Sequence, residues 1–180
     1  VRTDTPDLDM LASFGIDGAL KNYAETTLAD SPFVFQDLSA ELARLGYEYA
    51  VFDLSPGMGR LERSALLGAG QVLTPLLAEF FSLDGLETFA YELAKLHKSM
   101  RYAPEHRAVI VNAFDARISQ HRAIAEEAGH IRGKAVVRVP VDPAFRKAQA
   151  AHVPIQALPV ESAAKAETIA ALRRIVEEVA

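Results

Sequence analysis

Short apolar runs alternate with amphipathic stretches along this chain, and this alternation restricts the fold more than any other feature of the sequence. Ala50-Val51-Phe52 and Val109-Ile110-Val111 are continuous apolar runs, as in strands that are buried on both faces. A helical spacing of apolar residues separates such runs, as in Leu83, Leu86, Phe89, Leu93 and Leu96. The pattern predicts an α/β fold of three layers, α/β/α, with a mainly parallel sheet.

The boundaries of the predicted elements follow from capping residues, glycines and prolines. The predicted strands cover residues 8–14, 47–54, 71–77, 107–114 and 134–139. The predicted helices cover residues 33–45, 60–68, 82–100, 119–130 and 161–179, the last with an inward face of Ile169, Leu172, Ile175 and Val176. Residues 15–30 are predicted to be mainly loop. Because no linker or repeat interrupts the chain, we expect one domain over residues 1–180.

Composition excludes several classes of protein. The 180 residues contain no cysteine and five histidines without close spacing, so disulfides and thiolate or histidine zinc sites are not expected. No segment approaches the roughly 18 apolar residues of a membrane span. The net charge of −5 argues against a protein that is basic throughout, although it permits a local basic patch. We expect a cytoplasmic protein without membrane attachment.

The ends of the predicted strands carry the candidate site residues, because ligands of open α/β sheets bind beyond the carboxyl ends of the strands. Asp53 follows the first apolar run and can hold Mg²⁺, directly or through water. Gly57 and Gly59 allow the next backbone segment to approach a ligand closely. The alternative is that Asp53 only caps a turn.

Two further strand ends carry distinctive residues. Thr74-Pro75 leads to Glu79 and then to Gly85 early in a helix, where either function or close packing would require a glycine. Asn112 offers both a hydrogen-bond donor and an acceptor, which suits the edge of an adenine base. Turn chemistry accounts for that asparagine equally well.

Four segments, taken in order, resemble the ParA/MinD family of P-loop ATPases over roughly residues 8–180. The family pattern Asp-x-Pro-Pro followed by small-Leu-Gly is similar to residues 53–59, and Val-Pro-x-x-x-Glu with Leu-x-Gly-Leu is similar to residues 74–86. The family strand Leu-Thr-x-Tyr-Asp-x-Arg is similar to residues 111–117, and its late Ile-Pro and Pro-Val segments are similar to residues 139–155. The resemblance implies a P-loop NTPase fold of the SIMIBI type that covers the carboxyl-terminal two-thirds of the family domain.

The resemblance also implies roles for single residues. Asp53 would be the catalytic switch aspartate that acts on Mg²⁺ or its water shell, and Pro56, Gly57 and Gly59 would belong to the switch that senses the γ-phosphate of ATP. Asn112 and Pro140 would lie near the adenine.

Family members form homodimers around ATP, bind DNA non-specifically and hydrolyse ATP slowly when a ParB-like partner stimulates them. Candidates for a DNA-binding face are the basic residues Arg117, Arg122, Arg146 and Lys147. The alternative for all four is an ordinary solvated surface.

The sequence also departs from the family pattern. The phosphate-binding loop Lys-Gly-Gly-x-Gly-Lys-[Ser/Thr] does not occur, and Gly68-Ala69-Gly70 lacks its lysine. The resemblance places that loop upstream of Val1, so we expect either a missing N-terminal βα portion or a relative without the loop. Ser55, Thr74 and Val141 replace the proline, valine and arginine of the family.

Three functions remain open at this point. The first is a ParA-type ATPase in plasmid or chromosome partitioning. The second is a non-catalytic scaffold of the same fold that binds no nucleotide, and the third is a MinD-like positioning ATPase. The charge-balanced final segment Arg173–Ala180 does not resemble the amphipathic membrane helix of MinD relatives.

Overall fold

The computed structural model of the chain describes residues 3, 5–12, 19–131, 135–159 and 161–179. Its three strands are β1 (Gln71–Leu77), β2 (Glu105–Phe114) and β3 (Ala135–Pro140). Its α-helices are α1 (Ala19–Asp30), α2 (Val34–Arg44), α3 (Arg60–Gly68), α4 (Phe80–Met100), α5 (Ser119–Ile131), α6 (Pro143–Ala150) and α7 (Ala163–Val179). A short 3₁₀ turn covers Ile155–Ala157. The chain divides into two compact units, Val1–Ala69 and Gly70–Ala180.

The second unit contains a parallel sheet with the strand order β1-β2-β3. Helix α4 connects β1 to β2, and α5 connects β2 to β3. Both helices pack on one face of the sheet, where Val109 and Val111 of β2 meet Leu86 of α4 and Ile124 of α5. Three of these four side chains are fully buried and Leu86 is 2% exposed, so this layer forms the main core.

The opposite face of the sheet packs against α7. Ala108 of β2 and Val137 of β3 form this second layer, together with Ile110 and with Ala171 of α7. Because successive side chains of a strand point to opposite faces, the run from Ala108 to Val111 supplies both layers in alternation. The second unit therefore has the predicted three-layer α/β/α architecture with a parallel sheet.

The first unit contains the helices α1, α2 and α3. Helix α3 lies so close to α2 that a Cβ added to Gly68 would come within 2.5 Å of the backbone carbon and oxygen of Phe35. The Ser39 hydroxyl donates to the Gly68 carbonyl oxygen at 2.8 Å, and the buried Ser64 hydroxyl donates to the Pro32 carbonyl oxygen at 2.6 Å. A close backbone contact and the Ser39 hydrogen bond thus join α3 to α2, and the Ser64 hydrogen bond joins α3 to the segment before α2.

The predicted strand over residues 47–54 is wrong, because these residues form neither strand nor helix. Val51 is 90% exposed, and Phe52 is half-buried with its ring edge-to-face on Phe35 at 5.3 Å between centroids. A strand requires a neighbour for its backbone hydrogen bonds, and no described residue pairs with this segment in a sheet. An apolar run alone does not supply that neighbour.

Other predicted elements differ in part. Residues 8–12 form no continuous strand, and residues 13–14 of that prediction lie outside the described residues. Residues 19–30 form α1 instead of loop, while residues 15–18 and Lys134 lie outside the described part. Helix α4 begins at Phe80, two residues before the predicted start, and α7 begins at Ala163.

The predicted inward face of α7 is wrong at two of its four residues, while Ile169 is half-buried and the Ile175 side chain lies outside the described part. Leu172 and Val176 are exposed by 39% and 48%, whereas Lys165 and Thr168 are buried. The Lys165 ammonium donates to the Leu158 carbonyl oxygen at 2.7 Å, which satisfies a charge in an otherwise apolar position. Among the described helices, none is long and apolar enough to cross a membrane.

Candidate functional site

Asp53 lies in an exposed loop between α2 and α3. Its carboxylate forms no hydrogen bond or ion pair with any residue that the structure describes. Pro56 and Gly57 are also exposed, and the Gly57 N–H donates to the Ser55 carbonyl oxygen at 2.8 Å in a tight turn. The residues predicted around Asp53 therefore share one surface loop that is open to solvent.

The first turn of α3 holds this loop by two side-chain contacts. The Ser55 hydroxyl donates to Glu62 Oε1 at 2.5 Å, and Arg63 Nε donates to the Met58 carbonyl oxygen at 2.9 Å. Gly59 is the N-cap residue of α3 and contributes no side-chain cap. Neither Glu62 nor Arg63 is among the residues predicted from the sequence. Glu62 lies three residues after the N-cap, where a glutamate side chain reaches back toward the preceding chain. This spacing is the feature of the sequence that could have indicated the contact with the loop.

Asn112 lies near the carboxyl end of β2, opposite Leu77 of β1. It is exposed, and its Oδ1 accepts a hydrogen bond from the Ala113 N–H at 2.9 Å. The strand register shifts between Val111 and Phe114, and Ala113 has a φ of 53°. A positive φ strains a residue with a Cβ, and such strain often marks a functional site.

Pro140 ends β3 beside Phe114, the last residue of β2. The Val141 N–H donates to the Phe114 carbonyl oxygen at 3.1 Å. The guanidinium of Arg138 lies over the Phe114 ring at 5.4 Å from its centroid, a cation–π contact. Asn112 and Pro140 thus lie at the same carboxyl edge of the sheet, one on each of two paired strands.

Asp115 follows β2 and forms a two-point ion pair with Arg117. Arg117 Nε donates to Asp115 Oδ1 at 3.0 Å, and Arg117 Nη2 donates to Oδ2 at 2.7 Å. These bonds, with one from the Arg117 backbone N–H, lower the pKa of Asp115 from 3.8 to about 2. The Asp115 N–H in turn donates to His121 Nδ1 at 3.0 Å. Asp115 therefore stays ionised and organises the loop after β2.

The four basic candidates are on the surface of the second unit but differ in their contacts. Arg117 is paired with Asp115, and the Arg122 guanidinium donates to the Ala116 carbonyl oxygen. Arg146 and Lys147 are exposed on α6, and neither side chain forms a hydrogen bond or ion pair with a described residue. The loops after β2 and β3 place all four residues on elements that leave the same edge of the sheet.

Helix α6 is absent from the elements predicted from the sequence, although it carries Arg146 and Lys147. Asp142 caps it by accepting a hydrogen bond from the Ala144 N–H at 2.7 Å, and Pro143 occupies the first turn. The Ser162 hydroxyl and this backbone N–H lower the pKa of Asp142. The sequence Asp142-Pro143 is a sufficient signal, because it combines an N-cap residue with proline at the first position.

Gly85 offers no support for the packing interpretation of its position. An added Cβ there would meet no atom within 4 Å. Glu79 is the N-cap residue of α4 and is exposed, and its backbone N–H donates to the Leu77 carbonyl oxygen at 2.8 Å. The segment after β1 is therefore a tight turn into an exposed helix start.

Comparisons with known proteins define the class. The family model AAA_31, described as an AAA domain, matches residues 9–104, which include the Asp53 loop and the turn at Glu79. The chain belongs to this family and is of its ParA/MinD type. ParA/MinD-like proteins are partition and positioning ATPases of the P-loop class.

Individual relatives agree with this assignment. The chain is 36% identical over 104 residues to the uncharacterized protein BBD21 of Borreliella burgdorferi, covering 58% of this chain and 42% of that one. It is 28% identical over 129 residues to the chromosome partitioning protein ParA of Caulobacter vibrioides, covering 71% and 48%. The chain thus spans less than half the length of these relatives.

The fold is also that of a solved structure. A complex of Cyanothece McdA with ATP superimposes with a TM-score of 0.72 at 15% identity, covering 89% of this chain and 62% of that one. The parallel sheet and this superposition show an α/β fold of the SIMIBI P-loop type.

The residues present fit part of what an ATP–Mg²⁺ site requires. Mg²⁺ in phosphate sites takes one or two protein carboxylates with the remaining ligands from water and phosphate, so the exposed Asp53 carboxylate suits it. No group of three or more potential metal ligands occurs among the described residues. The lysine and backbone cradle for the phosphates has no counterpart in this sequence.

Proposed function

We propose that the protein containing this chain is a ParA-type ATPase that acts in plasmid or chromosome partitioning. The observation that carries the proposal is the family match over residues 9–104, which includes the loop of the candidate switch aspartate Asp53. The similarity to the Caulobacter partitioning protein, which extends over 71% of this chain, supports the same function.

The proposed site residues have separate tasks. Asp53 orients Mg²⁺ or its water shell, and the loop of Pro56, Gly57 and Gly59 follows the state of the γ-phosphate. Asn112 and Pro140 contact the adenine, for which an exposed carboxamide and a rigid ring are suitable. When bound, Mg²⁺ would supply positive charge beside the phosphates, and Asp53 would hold it directly or through water. The proposed ATPase also requires a phosphate-binding loop, which these 180 residues do not contain.

Hydrolysis by the full-length protein tests the role of Asp53. We expect Asp53→Ala to reduce ATP turnover by about 100-fold or more, the effect of losing a group that holds Mg²⁺ beside the phosphates and so stabilises the charge of the transition state. Asp37→Ala is the matched control, because Asp37 is an exposed carboxylate on α2 in the same unit. Equal turnover of the Asp53 variant and wild type would exclude this role.

We further propose a homodimer that binds DNA non-specifically in the presence of ATP and is stimulated by a ParB-like partner. Arg146 and Lys147 are better candidates for phosphate contacts than Arg117, whose charge already pairs with Asp115. Each lost phosphate contact should reduce the slope of log K against log salt by about 0.9. We expect this reduction for Arg146→Ala and a smaller one for Arg117→Ala, measured on non-specific duplex DNA. Identical slopes for both variants and wild type would exclude this face.

A non-catalytic scaffold is the second candidate, because Gly68-Ala69-Gly70 lacks a phosphate lysine and no other segment of these 180 residues supplies one. The scaffold predicts no thermal shift of the full-length protein with ATP and Mg²⁺, since only a ligand that binds the native state stabilises it. A clear shift would favour the ATPase. A MinD-like positioning ATPase would show the shift and the hydrolysis without salt-dependent DNA binding.

A further inference from the structure

The first turn of α3 contacts the loop of residues 55–58 at both of its ends. Glu62 accepts the hydrogen bond of the Ser55 hydroxyl at 2.5 Å, and Arg63 Nε donates to the Met58 carbonyl oxygen at 2.9 Å. We propose that Glu62 and Arg63 are positioning residues that fix this loop and transmit its rearrangement to α3. The part of the proposal that concerns nucleotide rests on the function proposed above.

Between these two contacts the loop is free to meet a ligand. Pro56 and Gly57 are exposed, and a Cβ added to Gly57 would meet no atom within 4 Å. The loop is therefore held at Ser55 and at Met58 and is open in the middle. A ligand that reorients the Gly57 peptide strains both contacts, because two residues are too short to absorb the change without moving the ends.

Gly59 differs from Gly57 although both belong to the same loop. A Cβ at Gly59 would lie 2.7 Å from Glu62 Oε2, so the Glu62 side chain occupies the space that any other residue would need. Replacing Gly59 by alanine must shift this carboxylate, whose other oxygen, Oε1, accepts the hydrogen bond of the Ser55 hydroxyl. The two glycines therefore form a natural pair for testing the contact.

Helix α3 has contacts in the first unit besides those with the loop, so a movement at its first turn extends into the unit. Ser64 is 1% exposed and is tied to the Pro32 carbonyl oxygen before α2. The Arg60 guanidinium donates to the carbonyl oxygen of Glu25 in α1. Helix α3 consequently connects the loop to both other helices of the first unit.

Hydrogen–deuterium exchange of the ligand-free full-length protein tests the positioning role. We expect Glu62→Ala to raise exchange of the Gly57 amide, whose N–H donates to the Ser55 carbonyl oxygen, about 2- to 10-fold, the factor that corresponds to one lost hydrogen bond. Glu62→Gln keeps an oxygen acceptor for the Ser55 hydroxyl and should stay close to wild type. Unchanged exchange in Glu62→Ala would overturn the proposal.

Two controls separate positioning from general destabilisation. Asp37→Ala removes another carboxylate from the first turn of a helix and so matches the lost helix-dipole interaction. It should leave the exchange of the Gly57 amide unchanged. Gly59→Ala should reproduce the Glu62→Ala result at this amide, whereas Gly57→Ala should not raise the exchange of the amide at residue 57 beyond the change in its intrinsic rate. A reversed order of the two glycine variants would also overturn the proposal.

Addition of ATP and Mg²⁺ tests the transmission to α3. In wild type we expect altered exchange in both the loop and residues 60–68, and in the Glu62→Ala, Arg63→Ala double variant in the loop alone. A response of α3 that persists in the double variant would overturn transmission. If ATP and Mg²⁺ do not change exchange anywhere in wild type, the proposed nucleotide function is wrong, and the proposed transmission of a nucleotide signal is then wrong as well. The ligand-free comparison then still decides the positioning role.

Discussion

Two apolar runs of similar composition have opposite fates in this molecule. Val109-Ile110-Val111 lies in the central strand of the parallel sheet, with Val109 and Val111 fully buried. Ala50-Val51-Phe52 forms no strand, and its central valine is 90% exposed. The difference lies in the neighbours, because β2 pairs on both sides whereas no described residue pairs with residues 50–52. Hydrophobicity permits a buried strand, and pairing decides whether one forms.

The largest expected effect is the contrast between one truncation in each run. Val111→Ala should lower the free energy of unfolding by about 2 kcal/mol, between the usual costs of Ile→Val and Leu→Ala in a core. Val51→Ala should change it by no more than about 0.5 kcal/mol, as expected for a surface position. Urea denaturation of both variants measures the difference. A large cost for Val51→Ala would mean that this run is buried in solution.

A smaller effect tests how each unit is held together internally. The second unit relies on apolar layers against a sheet, whereas hydroxyl-to-carbonyl hydrogen bonds join helices in the first. Ser64→Ala should cost about 1 kcal/mol, since the Pro32 carbonyl oxygen loses the donor that the buried Ser64 supplies. Ser82→Ala in α4, a half-buried serine, is the control and should stay within about 0.5 kcal/mol of wild type. Equal losses of the free energy of unfolding in Ser64→Ala and Ser82→Ala, measured by urea denaturation, would contradict this contrast.

The ion pair after β2 should produce a weaker, pH-dependent contribution. The folded-state pKa of Asp115 is about 2, below the ordinary value of 3.8, so its stabilisation is present above about pH 4 and is lost as the pH falls toward 2. Asp115→Asn should therefore be less stable than wild type at pH 7, and the two should converge near pH 2. Urea midpoints at both pH values measure this, and a constant difference would contradict the assignment. High salt should also weaken the effect, because Arg117 is exposed.

The smallest expected effect is a gain in stability at the strained end of β2. Ala113 has a φ of 53°, which costs a residue with a Cβ about 1–2 kcal/mol, whereas glycine adopts it freely. Glycine loses about 0.5–1 kcal/mol through its greater freedom in the unfolded chain. Ala113→Gly should therefore raise the free energy of unfolding by about 0.5 kcal/mol. Ala116→Gly should lower the free energy of unfolding, because Ala116 has no positive φ. If both variants change the free energy of unfolding in the same direction, Ala113 is not strained.

The second unit is largely predictable from the sequence because its elements are local patterns that support one another. The strands at residues 71–77 and 107–114 and the helix before Met100 are confirmed within two residues at their ends. Helix α1 escapes prediction because its sequence has no strong apolar stripe. The predicted α7 face is wrong at Leu172 and Val176, which are exposed, and it omits the buried Lys165 and Thr168. A lysine whose ammonium finds a carbonyl oxygen cannot be recognised from periodicity alone.

The family is predictable from the sequence, whereas the contacts of the candidate site residues are not. The order of the motifs indicates the ParA/MinD family, which the family match confirms. The roles of Asp53, Asn112 and Pro140 stay predictions, as does a single domain over residues 1–180. The support of Glu62 and Arg63 for the loop cannot be read from spacing, because it depends on the angle at which α3 leaves Gly59.

The close approach of α3 to α2 has a mechanical consequence. With no side chain at Gly68 to act as a cushion, the backbone of one helix lies directly against that of the other at Phe35. Because the two backbones are in direct contact, we expect a tilt of α3 to tilt α2 as well, over the roughly 16 Å length of α2. A displacement of a fraction of an ångström at the pivot grows in proportion to distance and is largest at the far end of α2. The absence of a side chain at Gly68 therefore couples the orientations of α2 and α3.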